Sequence, residues 1–149
     1  MIYALIMAAI IIGTLMPIQA GINAELTKLL QNPFLGAFIS FFTGAIVLGL
    51  ILLTQGLQFA DVKRLSGASP AHFLGGILGA LFVGSSIFFI PKMGATTMMA
   101  AYITGQLIMA VAMDHFGWFG VPIVPINISK SLGVGFLFLG LYLVMRKAA

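Results

Sequence analysis

The chain has no cysteine and almost no charge. Without cysteine there is no disulfide framework, no thiol redox chemistry and no thiolate metal ligand. Three acids (Glu25, Asp61 and Asp114) face seven lysines and arginines, and charged residues make up 7% of the 149 positions. A soluble domain carries roughly 25%. The deficit excludes a soluble globular enzyme and a disordered tail. Two histidines and three acids are too few for a dedicated metal site. Catalytic signatures are missing as well: no GxSxG, HExxH, P-loop or paired-carboxylate pattern occurs. No enzyme activity and no cofactor are expected, and any pumping would draw on an ion gradient or a partner. The net charge of +4 is spread over bases that stand singly or in pairs. No cluster forms that would grip nucleic acid.

What is abundant is apolar sequence. Hydrophobic residues reach 61% and the mean hydropathy is +1.17. The chain is expected to be an integral membrane protein whose main partner is the lipid bilayer. Its apolar runs are continuous rather than alternating, which argues for helices over an outer-membrane barrel. The expected architecture is all-α: one transmembrane domain over 1–149, a bundle of five transmembrane helices.

The first span covers 2–30. Residues 1–20 lack the basic start of a cleaved signal peptide, and only Asn32-Pro33 stops the helical pattern cleanly. A helix that long measures about 43 Å, against a hydrocarbon core of about 30 Å. It must tilt, kink at Pro17 or protrude. The second span is 34–54. Residues 55–69, with Asp61, Lys63 and Arg64, read as a loop. The third span is 72–90, closed by Pro91-Lys92, and the fourth is 95–113, ended by Asp114-His115. Residues 117–129 are apolar but broken by Pro122 and Pro125, so they lie at the interface, a level that suits Trp118 and Phe119. The last span covers about 128–145, with Asn127 or Ser129 available as its cap and Arg146-Lys147 beyond its end.

Five spans put the termini on opposite sides. Lys63, Arg64 and Lys130 then share one side; Lys28, Lys92, Arg146 and Lys147 share the other. Three bases against four is almost no orientation signal. Two readings follow: a weakly biased single topology with the carboxyl terminus inside, or dual topology with oppositely inserted chains pairing antiparallel.

Several pieces of sequence carry a resemblance. They are Gln19-Ala20-Gly21-Ile22-Asn23 in the first helix, Ser40-Phe41 to Gly44 in the second, and Gly75-Gly76-Ile77-Leu78-Gly79-Ala80 in the third. Pro91-Lys92-Met93-Gly94-Ala95 follows at the next turn. Gly105-Gln106 through Asp114-His115-Phe116-Gly117 lies in the fourth. In their order and spacing the chain resembles the five-helix YdcZ-type family of the drug/metabolite transporter (DMT, EamA-like) superfamily. The resemblance implies a small transporter subunit in a bacterial inner (plasma) membrane. It further implies a five-helix half of a ten-helix inverted-repeat transporter, paired as a homodimer or with a related five-helix chain. It does not identify the solute.

Candidate functional residues are polar groups at depth, because such groups are costly in hydrocarbon. Gln106 lies mid-span, and Tyr102, Gln106, Met109 and Met113 share one helix face. That face reads either as a solute-binding wall with soft methionine sides or as glue between helices. Gln19 and Asn23, four apart, read as a second wall of the same cavity or as local partners for a Pro17 kink. Glu25 and Asp114 are the candidates for ion or proton coupling. The simpler readings are an interfacial acid near Lys28 and a headgroup-level cap. No charged residue is central to any span, unlike the membrane-embedded glutamate of four-helix drug-exporting relatives. That departure argues against proton-coupled export of organic cations. Gly36, Ser40 and Gly44, like Gly76, Ala80 and Gly84, form small-residue packing faces. Gly133 and Gly140, seven apart on the last helix, read either as a face for another subunit, as the last helix of each half often is in the superfamily, or as a contact within the same chain. A different class of function stays open: a non-transporting membrane assembly subunit.

Overall fold

The computed structural model describes residues 2–56, 58 and 62–146. Asp61, expected in the loop 55–69, lies outside the described residues, as does Lys147. Among the described residues the secondary structure is helical. Five α-helices follow in order: α1 (Ile2–Gly13), α2 (Leu15–Leu30), α3 (Pro33–Thr54), α4 (Leu74–Phe116) and α5 (Ile128–Met145). Short 3-10 turns lie at Arg64–Gly67, Pro70–Phe73 and Trp118–Gly120. Among the described residues four segments are long and apolar enough to cross a membrane: Ile2–Leu30, Pro33–Thr54, Pro70–Phe116 and Ile128–Met145. The protein is an all-α, multi-pass membrane protein. By its contacts the chain divides into two compact units, Met1–Lys92 and Met93–Ala149.

In the first unit, the long first segment is interrupted at Thr14, one turn before Pro17. Proline lacks the N–H that would bond the carbonyl four residues back, and its ring crowds that carbonyl. For Pro17 the carbonyl is that of Gly13, so the disturbance appears there. At the interruption Thr14 donates its hydroxyl to the Ile11 carbonyl at 2.7 Å.

α2 ends at Gln31, which takes left-handed backbone at φ 52°. Asn32 then caps α3: its Oδ1 accepts the Leu35 N–H at 3.1 Å. Pro33 occupies the first helical position, where a missing N–H costs nothing. These two residues reverse the chain, so α2 and α3 form a hairpin. Gly36 lets the helices close. A Cβ placed there would stand 2.6 Å from the Thr27 hydroxyl oxygen. Along the seam Ala20, Asn23 and Ala24 of α2 are buried, as are Gly36 and Ala37 of α3.

α3 also packs on the start of α4. Ala37, Val83 and Ile87 form a buried cluster with Phe82 against it, and the rings of Phe34 and Phe88 meet edge to face at 6.1 Å. Before α4, Ser69 and His72 cap the 3-10 turn reciprocally, with the Ser69 N–H donating to His72 Nδ1 at 2.9 Å. Ser85 and Ser86 donate to the carbonyls of Phe82 and Val83, at 2.9 and 2.7 Å. α4 runs through Pro91 and loses helical geometry at Gly94, whose φ of 79° and ψ of 159° join two helices within the segment.

In the second unit, α4 ends at Phe116 and α5 starts behind an Asn127 cap, whose Oδ1 accepts the Lys130 N–H at 2.9 Å. Between them the chain turns on three left-handed residues, Gly117, Phe119 and Gly120. Gly117 has a steric reason as well, since a Cβ there would lie 2.7 Å from the Ile123 side chain.

Few apolar residues are buried: Ala20, Ala24, Ala37, Val83, Ile87 and Met98. Large aliphatic and aromatic side chains along every long helix are exposed. In water such a surface would aggregate. Against lipid tails it is already in its preferred solvent.

Candidate functional site

The hairpin of α2 and α3 holds a groove of about 360 Å³. Its walls are aliphatic, among them Leu15, Ile22 and Ile39, and its polar lining is Gln19 and Asn23 from α2 with Ser40 and Thr43 from α3. The pairing follows from helix geometry. Residues four apart on α2 and three apart on α3 each share a face, and the contact of Thr27 with Gly36 sets the antiparallel register. Gln19 and Asn23 therefore do share a wall. Ser40 reads from the sequence only as a packing residue, and Thr43 carries no signal beyond its three-residue spacing from Ser40; the register of the hairpin decides that both line the groove with Asn23.

Asn23 is the most constrained of the four. It is 4% exposed, and its Nδ2 is buried with no hydrogen-bond partner. The Thr27 hydroxyl one turn along is in the same position. No side-chain hydrogen bond involves Gln19, Ser40 or Thr43 among the described residues. The groove thus offers two amides and two hydroxyls, all uncharged and none committed elsewhere. Glu25 is exposed on α2, outside the groove lining.

The remaining expected residues belong to the second unit. Tyr102 is half-buried; Gln106 and Met109 are exposed along the same helix. None of them lines the α2–α3 groove or the apolar groove between α3 and α4. Gly133 and Gly140 are exposed on α5, and a Cβ at either would meet open space.

Asp114 has a definite structural task. Its Oδ2 receives the Lys130 ammonium at 3.0 Å, and its backbone carbonyl receives the Val124 N–H at 2.8 Å. Lys130 also donates to the Val124 carbonyl at 3.1 Å, and His115 Nδ1 accepts the Ile126 N–H at 3.2 Å. These bonds pin the loop 117–127 onto the end of α4. The sequence put Asp114 and Lys130 at facing ends of two helices, but nothing in their spacing paired them. Phe119, 91% exposed, and Trp118, stacked on Phe116 at 5.3 Å, fit the headgroup level. A second groove, about 630 Å³ and apolar, lies between α3 and the start of α4 and is lined by Phe38, Phe41, Leu81 and Phe88 among others. Gly79 approaches the Phe41 ring there.

The family model DMT_YdcZ, described as "Putative inner membrane exporter, YdcZ", matches residues 4–143. Neither the curated proteins nor the solved structures gave a match.

Proposed function

The chain belongs to the YdcZ family of DMT-type membrane proteins, and from that premise we propose that it is a small transporter subunit that moves a small solute by alternating access. Membership in this family fits small-molecule transport across a membrane. The observation that carries the reading to a site is the α2–α3 groove, where Asn23, whose Nδ2 is buried without a protein partner, shares the lining with Gln19, Ser40 and Thr43. An amide left unmet in hydrocarbon costs several kcal/mol, so a structure that retains one gains by offering it to a ligand.

The unit of transport is an antiparallel dimer of five-span, single-domain chains, acting as paired inverted repeats in a bacterial inner membrane. Two features support this. Continuous, α4 would measure about 64 Å, twice the hydrocarbon thickness; the break at Gly94 divides it into two stretches, each about long enough to span. The bases are also nearly balanced between the two sides. Gln106, with Tyr102 and Met109, is a second candidate solute-contacting face, carried by the second unit. Its exposure in a single chain suits a wet cavity or a facing subunit better than lipid. Among the described residues Glu25 is the acid free to couple an ion, whereas Asp114 is engaged by Lys130. Gly133 and Gly140 present an open face for the partner chain.

Reconstitution tests the reading. Liposomes holding only this protein should show solute flux above the leak of empty liposomes. A folded, dimeric preparation without flux would leave the chain an assembly subunit.

A further inference from the structure

The chemistry of the α2–α3 groove narrows the solute, on the premise that the groove is the transport site. Gln19, Asn23, Ser40 and Thr43 line it, and no titratable side chain does. A charged solute entering there would leave water without a counter-charge, which is heavily penalised. Asn23 Nδ2 is a buried donor without a partner, so the solute must bring an acceptor. The amide groups of Gln19 and Asn23 and the two hydroxyls together offer both donors and acceptors. Hydroxyl groups answer such a mixed set, because each can give and take a hydrogen bond. The walls are aliphatic and suit the C–H faces of a ring. The volume of about 360 Å³ equals roughly a dozen waters at about 30 Å³ each, room for one hexose-sized molecule.

We infer that the groove between α2 and α3 binds an uncharged, polyhydroxylated solute of about hexose size, held by an acceptor oxygen on Asn23 Nδ2. The site discriminates by charge first. A cation or anion on the same carbon frame is rejected because nothing in the lining compensates it.

The absence of cysteine makes the test direct. Ile39→Cys places one thiol on the groove wall, outside the four polar contacts. Its labelling by a water-soluble maleimide is measured with D-glucose, D-glucosamine or D-glucuronate present at equal concentration. These share one frame and differ in charge. Glucose should slow labelling severalfold, and the two charged frames should leave it unchanged. Adding Asn23→Leu should abolish protection by glucose in a protein that still elutes as a folded species. Equal or stronger protection by a charged frame overturns the inference. So does an unreactive thiol, which would mean a sealed groove, no protection by glucose, or protection that survives Asn23→Leu. Flux in liposomes separates this inference from its premise. Transport of a charged frame with no glucose protection defeats the solute class and leaves the transporter reading standing. Glucose protection without any flux keeps the binding site and defeats transport.

Discussion

Asn23 and Gly36 sit on facing sides of one helical seam and make opposite forecasts. The buried Asn23 amide lacks a partner, and an unmet polar group costs about 1–3 kcal/mol. Asn23→Leu should therefore keep or raise thermal stability in detergent while solute binding is lost. A large fall in melting temperature would assign the amide to packing instead. Gly36→Ala should destabilise by about 1–3 kcal/mol, because its Cβ would meet the Thr27 hydroxyl at 2.6 Å. Thr27→Ala should relieve most of that loss in the double variant, a coupling that thermal melts would read directly. Part of this groove's lining was legible beforehand: Gln19 and Asn23 stand four apart on an apolar helix, and their depth together with the family resemblance marked them as candidates. The opposite wall was not legible. Whether Ser40 and Thr43 meet Asn23 depends on how α3 slides along α2, which is set by the close approach at Gly36.

At the scale of helices and loops, caps written in single residues were readable and long-range bonds were not. Asn32-Pro33 and Asn127 each mark a boundary through chemistry that acts over three residues. The break within the first segment falls at Thr14 rather than at Pro17, since a proline perturbs the carbonyl four residues before it. The helix through Pro91, by contrast, continues past its proline and breaks only at Gly94. Backbone at φ 79° and ψ 159° is essentially restricted to glycine, and another residue there costs about 1–3 kcal/mol. No atom crowds the Cβ position of Gly94, so Gly94→Ala isolates the backbone term. It should lower stability by that amount and reduce correct membrane insertion, assayed by two-sided labelling. Unchanged stability would refute the strained geometry. In the loop 117–127, Lys130 ties Asp114 to the Val124 carbonyl. The pair is partly solvated, with side-chain exposures of 23% and 43%, and is worth about 0–1 kcal/mol globally. Lys130→Met should thus barely move the melting temperature yet speed hydrogen exchange across 117–127. Asp114→Asn should do less, because Lys130 keeps the Val124 carbonyl. Equal exchange in wild type and Lys130→Met would show that the loop is held by other contacts.

For the whole molecule, the membrane setting follows from scarcity of charge together with continuous apolar helices, and both were plain in the sequence. Assembly was not plain, since a helix face looks the same whether lipid or a partner chain covers it. Gly140 gives that question a clean probe. A side chain there meets open space within the chain, so Gly140→Leu should fold normally. If α5 carries the subunit contact, the variant should lose most crosslinked dimer. A dimer yield equal to wild type would place the contact on another helix. Single-cysteine probes at described positions of the 55–69 loop, such as Leu65→Cys, should label from both faces of the membrane if oppositely inserted chains pair. Labelling from one face alone would contradict dual topology.

Counterflow is the most direct test of the transporter reading. Liposomes containing only the purified wild-type chain are loaded with unlabelled D-glucose and diluted into labelled D-glucose. Asn23→Leu liposomes of equal protein content run beside them. Wild-type vesicles should accumulate label transiently and saturably, and the variant should show leak-level uptake. Leak-level uptake in both, from protein shown to be folded and dimeric, would contradict transport of this solute class through this groove.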